Sequence, residues 1–168
     1  MRSDPPQVSP EREALEGWLD LHRATLLHKC AGLTAEQLTS RACPPSTLSL
    51  LGLLRHLTDV EREWFLRRWV AGVEPLYWGP DNLDGDFDDL VPARAAGEVA
   101  AYHSAVDACR SEAARHELDE IVPRHPEDPA SSDVIDVRWI YLHMIEEYAR
   151  HNGHADLLRE AIDGATGE

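Results

Sequence analysis

Apolar residues recur at helical spacing along four long stretches of the chain. Leu15, Trp18, Leu19, Leu26 and Leu27 give the first stretch an apolar face. It opens at Ser9-Pro10-Glu11, a serine fit to cap, a proline at the first helical position and an early acid. It fades near Gly32. Thr34-Ala-Glu-Gln37 has the spacing of a capping box, which predicts a short helix ending before Pro44-Pro45. The second long helix is expected from Ser46 or Thr47 to about Ala71. With His56 at zero, Val60, Leu53, Trp64 and Leu57 fall at about 40° to 100°, so His56 borders the core face. The third is expected from about Arg94 to His116, with Val99, Tyr102, Val106 and Cys109 inward. The fourth runs from about Asp136 to Ile162 and stops at Gly164. No alternating run reads as a strand. Four amphipathic helices with long connections between helices two and three and between three and four predict an all-α fold, a four-helix bundle.

The fourth helix breaks the usual pattern. It contains His143-Met-Ile-Glu-Glu147-Tyr-Ala-Arg-His151-Asn-Gly-His154. Taking His143 as zero, Glu147 falls near 40°, His151 near 80° and His154 near 20°. Trp139, Ile140, Met144, Leu157, Leu158, Ala161 and Ile162 share that side. Arg138, Asn152, Asp156, Arg159 and Asp163 take the other. Three imidazoles and a carboxylate are thus expected within the apolar stripe. Such groups are costly to bury alone and usually pair or bind metal.

Composition narrows the reading. A chain of 168 residues with 43% hydrophobic content suits one globular domain, 1–168, with residues 1–8 as a disordered tail. The formal charge of −15 disfavours nucleic acid and an anionic membrane as partners. Cys30, Cys43 and Cys109 are odd in number and widely spaced, which fits reduced thiols in a cytoplasmic protein. Cys109 reads as a packing residue. Neither a signal peptide nor a membrane span is expected.

Glu147 and His151 are four residues apart and point the same way from one helix. His56 is the third contributor, from the facing helix. Two imidazoles and one carboxylate make a three-ligand site with an open position, as in catalytic zinc, and iron or nickel would suit the same set. A buried His–Glu pair without metal is the other reading. His143 and His154 share that face, either as alternative ligands or, the favoured reading, as residues that orient the ligands. Glu146 and Arg150 can pair with each other. Asp84, Asp86 and Asp88 have the spacing of calcium-loop ligands, but Asp89 stands where glycine is required and Ala95 where glutamate is. That loop is expected to be solvated. Tyr77 and Trp78 either close over a pocket or plug the end of the bundle. His22, His28, His103, His116 and His125 read as surface or packing residues. There is no GxSxG, P-loop or dinucleotide fingerprint, so an enzyme here would rely on its metal.

The segment Leu-Ser-Leu-Leu-Gly-Leu-Leu-Arg-His56-Leu-Thr-Asp-Val-Glu61-Arg, followed by Arg138-Trp-Ile-Tyr-Leu-His143-Met-Ile-Glu-Glu147-Tyr-Ala-Arg-His151-Asn-Gly-His154, resembles the DinB superfamily. Within it the chain is similar to an actinobacterial branch that includes the so-called mini-circle proteins. The resemblance covers nearly the whole chain. It implies a four-helix bundle binding a divalent metal through His56, Glu147 and His151, zinc in first place. Glu147 and His151 match the Glu-x3-His pair of the mycothiol-dependent maleylpyruvate isomerase type. Relatives use the metal to activate a small thiol such as mycothiol, bacillithiol or glutathione. A thiol cosubstrate and an electrophilic substrate are therefore the expected partners, in a thiol S-transferase or isomerase. His154, His143 or Tyr148 would handle protons. A metal- or ligand-binding stress or resistance protein without turnover is the alternative, and a structural dimer a third. Family habit also implies a homodimer, and the apolar positions Leu51, Leu54, Phe65 and Leu66, off the His56 side, call for a cover that either a second subunit or helices one and three of the same chain would supply.

Overall fold

The computed structural model describes residues 4–167. Four long helices dominate: α1 (Glu11–Cys30), α3 (Leu50–Phe65), α5 (Ala95–Ala113) and α6 (Val137–Asp163). Two short helices, α2 (Ala35–Leu38) and α4 (Gly85–Asp88), sit in the connections, with a 3-10 turn at Pro92–Arg94. α1 packs on α6 and α3 on α5, and α3 also crosses α6 and α1. α3 is the innermost helix, buried on nearly every side. No helix among the described residues is long and apolar enough to cross a membrane. Of the expected tail, residues 1–3 lie outside the described residues, and Pro5 and Pro6 rest beside Gly17.

Local chemistry sets the helix boundaries, with several departures from expectation. α2 keeps its capping box: Thr34 Oγ1 accepts from the Gln37 amide and Gln37 Oε1 from the Thr34 amide. α6 starts on an Asp136 cap, whose Oδ1 accepts from the Trp139 amide at 2.7 Å, and ends on Gly164 at φ 77°. α1 begins one residue later than expected. Pro10 is extended, and Ser9 Oγ makes no hydrogen bond where a cap was expected. α3 begins at Leu50, because Ser46 spends its hydroxyl on the Leu48 amide in a turn and Ser49 caps Gly52. α3 also stops early, at Phe65. The Arg68 guanidinium reaches back to the carbonyls of Glu63 and Trp64, satisfying oxygens that a longer helix would have used. At 16 and 19 residues, α3 and α5 are shorter than expected.

A two-stranded antiparallel hairpin was not foreseen. Ile121–Pro123 (β1) pairs with Val134–Asp136 (β2), Val122 opposite Ile135. Three residues per strand carry too little alternation to read from sequence. Only Val122 and Ile135 turn into the core.

The core also settles where the surplus apolar face of α3 goes. Leu51, Leu54, Phe65 and Leu66 are 0–8% exposed within the single chain. The apolar argument for a second subunit therefore has no surface left to act on.

At the centre of the core lies a polar network that pattern reading missed. Glu61 is fully buried and takes both guanidinium prongs of Arg23, at 2.6 and 2.7 Å. The Tyr148 hydroxyl donates to Glu61 at 2.9 Å and meets the Tyr102 hydroxyl at 2.8 Å. The bidentate geometry and the extra hydroxyl offset the loss of hydration of both charges.

Candidate metal centre

α6 does not present its histidines in mid-core. Its buried positions are Ile140, Tyr141, Met144, Tyr148, Asn152, Ala155 and Leu158, roughly a quarter turn from the expected stripe. Leu157 is 63% exposed and Ala161 is exposed, against expectation. Asn152, expected outside, is buried and donates to the His22 carbonyl at 3.1 Å. His143, Glu147, His151 and His154 consequently lie on the shoulder between core and solvent. A carboxylate and imidazoles are less costly there than in the core, and a ligand can reach them.

On that shoulder the structure brings His56, Glu147 and His151 together. One ligand atom from each lies within 4.8 Å of the others. Their side chains are 27%, 15% and 12% exposed. His151 Nε2 stands 3.4 Å from Glu147 Oε2, and its ring centroid is 4.8 Å from that of His56. Arg150 donates to Glu147 Oε1 and to Glu146, as the i, i+4 spacing of Glu146 and Arg150 led us to expect.

Each imidazole is held at its other nitrogen. Asp86 Oδ2 sits 2.8 Å from His56 Nδ1. His154 Nδ1 sits 3.3 Å from His151 Nδ1. A carboxylate at Nδ1 fixes the proton there and leaves His56 Nε2 as a lone-pair donor. At His151 the Nδ1 partner is the His154 imidazole, which aligns the ring so that Nε2 faces Glu147. Burial pushes the His151 pKa down to about 4, and the charges of His56, His154 and Arg150 push the same way. His151 is therefore neutral at neutral pH, the form that binds metal.

Asp86 is the residue that sequence reasoning passed over. The aspartate loop was expected to be solvated, yet Asp86 is 4% exposed. α3 pulls this loop in. Arg55 donates to the carbonyls of Gly85 and Asp89 and stacks on Tyr77, while Asp59 accepts from the amides of Leu76 and Tyr77. Gly85 is needed for the approach, since a Cβ there would lie 2.2 Å from the Tyr77 carbonyl oxygen. The available signal was Arg55 and Asp59, two charges at buried positions of α3 whose hydrogen bonds go to loop backbone outside the helix.

The other expected site residues divide. His154 orients His151. His143 is stacked on Trp139 at 5.0 Å and meets Trp64 edge-on at 4.4 Å, beside Glu147, and burial lowers its pKa. It also forms a second carboxylate-rich group with Glu146 and Glu147. Tyr148 is not brought to the cluster. It points the opposite way, into the core, with its hydroxyl on Glu61. Trp78 lines a cleft of about 440 Å³ that starts at His56, and Tyr77 packs beneath Arg55. Cys109 is fully buried, as a packing residue should be, and burial raises its pKa.

A helical fold of this kind, with its histidine-bearing inner and last helices, defines a DinB-like protein. The chain belongs to the mycothiol S-transferase family, whose model matches residues 14–164. Among solved structures, a conserved protein from Enterococcus faecalis is similar in fold, with a TM-score of 0.51 and 16% identity. That alignment covers 94% of this chain and 100% of the other, and at such identity it shows the fold alone. A search of curated proteins finds no match.

Proposed function

We propose that this protein is a divalent-metal-dependent S-transferase or isomerase of the mycothiol type, with His56, Glu147 and His151 as its metal ligands. The observation that carries the reading is the tethering of both imidazoles at Nδ1 beside a shared carboxylate. Two nitrogens and one oxygen with an open fourth position fit zinc, and nickel or iron accept the same set. Such an ion would lower the pKa of a small thiol, making its thiolate available at neutral pH.

The chain's own residues do the rest. Glu147 and His151, one turn apart on α6, and His56 on α3 fix the thiol's position. Asp86 and His154 keep the two rings from turning. Trp64, Trp78 and Phe87 wall the cleft beside His56, where the electrophilic partner is held away from bulk water. His143 and His154, on the same shoulder, take the thiol proton and pass it to solvent. The sulfur then forms a bond to the electrophilic carbon with its own electron pair. The bond from that carbon to its leaving group breaks, and a halide departs with the bonding pair. The three cysteines are free, which fits work in a reducing cytoplasm.

The test is conjugate formation. Zinc-loaded protein is incubated with mycothiol and a chlorinated dinitrobenzene, and the thioether is followed by absorbance. Wild type should form it far faster than buffer, while His151→Ala should not. Metal-loaded wild type that forms no conjugate would instead leave a metal- or ligand-binding protein without turnover.

A further inference from the structure

The cleft at His56 has a consistent chemical character. Its apolar wall is Val60, Trp64, Trp78, Leu83 and Phe87, an aromatic-rich surface suited to stacking on a ring. Its polar wall is Asp59, Glu63, Asp84 and Asp86, and no lysine or arginine lines it. Of the cations that offset Asp59 and Glu63, Arg62 and Arg67 line an adjoining recess, and Arg68 lies over the Trp64 ring at 4.3 Å without lining the cleft. Asp84 has no ion pair among the described residues. Asp86 lines the cleft, and its Oδ1 is buried in that wall with no hydrogen-bond partner. The volume of about 440 Å³ is that of a small-molecule site.

We propose that this cleft selects its occupant by charge: it takes an uncharged or cationic aromatic electrophile and rejects carboxylates and phosphates. A cation gains from both the indole faces and the carboxylates. An anion must sit beside carboxylates with no lysine or arginine lining the cleft to offset its charge. A divalent ion at the neighbouring cluster changes this little, because the Glu147 carboxylate and the thiolate offset its charge. The role of the occupant as electrophile rests on the function proposed above. Its binding preference does not.

Three benzyl alcohols test the preference, one unsubstituted, one with a para carboxylate and one with a para trimethylammonium group. None can react, and with no ion present none can be ligated, so their binding to metal-free protein by calorimetry reports the cleft alone. The carboxylate should bind at least roughly tenfold more weakly than the other two. Asp84→Asn with Glu63→Gln should shrink that ratio to about threefold, and Asp84→Asn alone, at an exposed position, should give an intermediate value. Equal binding of the carboxylate, an unchanged ratio in the variants, or no binding of any of the three would overturn the proposal. The corresponding benzyl chlorides with thiol test the chemistry separately. If the alcohols are discriminated but no chloride is conjugated, the charge preference stands and the transferase reading falls.

Discussion

Asp86 and His154 hold the rings of His56 and His151 at Nδ1, and the Asp86 carboxylate keeps a proton on His56 Nδ1. Asp86→Asn keeps the shape but loses the charge that holds His56 Nδ1–H. It should weaken zinc binding by about 10- to 100-fold. Competition against a zinc chelator measures this, and an unchanged affinity would mean that Asp86 merely packs. His151 gives a second expectation, for metal-free protein. Its folded pKa of about 4 lies below the usual 6.5, so the folded state resists the proton that the unfolded state accepts. Stability from this group is full above pH 6.5 and is lost as pH falls from there toward 4. The loss is on the order of 3 kcal/mol at the acid end. Urea unfolding across that range should show a steeper decline in wild type than in His151→Asn, and parallel curves would refute it. His56, Glu147 and His151 were legible from residue type and spacing alone. Asp86 was not, because it lies 30 residues from His56, beyond the irregular segment that joins α3 to α4, and no local pattern encodes the contact.

The elements show where periodicity informs and where it misleads. α2 and the ends of α6 could be read because their caps are local: a capping box, an aspartate cap and a left-handed glycine. The face of α6 was misjudged because its buried polar residues, Tyr148 and Asn152, were not counted toward the core. Ranking by hydropathy cannot see that Glu61 and Arg23 satisfy each other across two helices, and so it missed what Tyr148 is for. Tyr148→Phe should destabilise the fold by about 1–3 kcal/mol, since it leaves Glu61 one donor short in a dry core. Metal content should not change. Urea unfolding and metal analysis of the same sample separate these effects, and loss of metal would return Tyr148 to the site.

The molecule as a whole is a helical core with a histidine- and carboxylate-bearing rim. Its large exposed apolar side chains, such as Trp18, Val70, Leu142 and Leu157, are spread over different elements, and the second face of α3 is covered from within. Light scattering at micromolar concentration should therefore give a mass near 18.8 kDa. A mass of twice that would require an interface made from surface that reads as solvated. α3 explains why the four-helix count came through while its neighbours did not. One helix buried all round fixes the others by apolar contact, whereas the hairpin and the loop over residues 66–94 depend on few, long-range polar bonds. The same loop carries Asp86 and Trp78, so the part of the chain hardest to read is the part that completes the site.

His56, Glu147 and His151 should together hold one divalent ion that a thiol can reach. Cobalt(II) reports all of this at once, because its visible spectrum follows ligand geometry and a thiolate adds a charge-transfer band in the near ultraviolet. Wild type should bind one cobalt per chain and gain that band when mycothiol is added. His56→Ala, Glu147→Ala and His151→Ala should each lose the stoichiometric cobalt, and His125→Ala should not. Wild type that binds no cobalt, or binds it with no new band on adding thiol, would contradict the account.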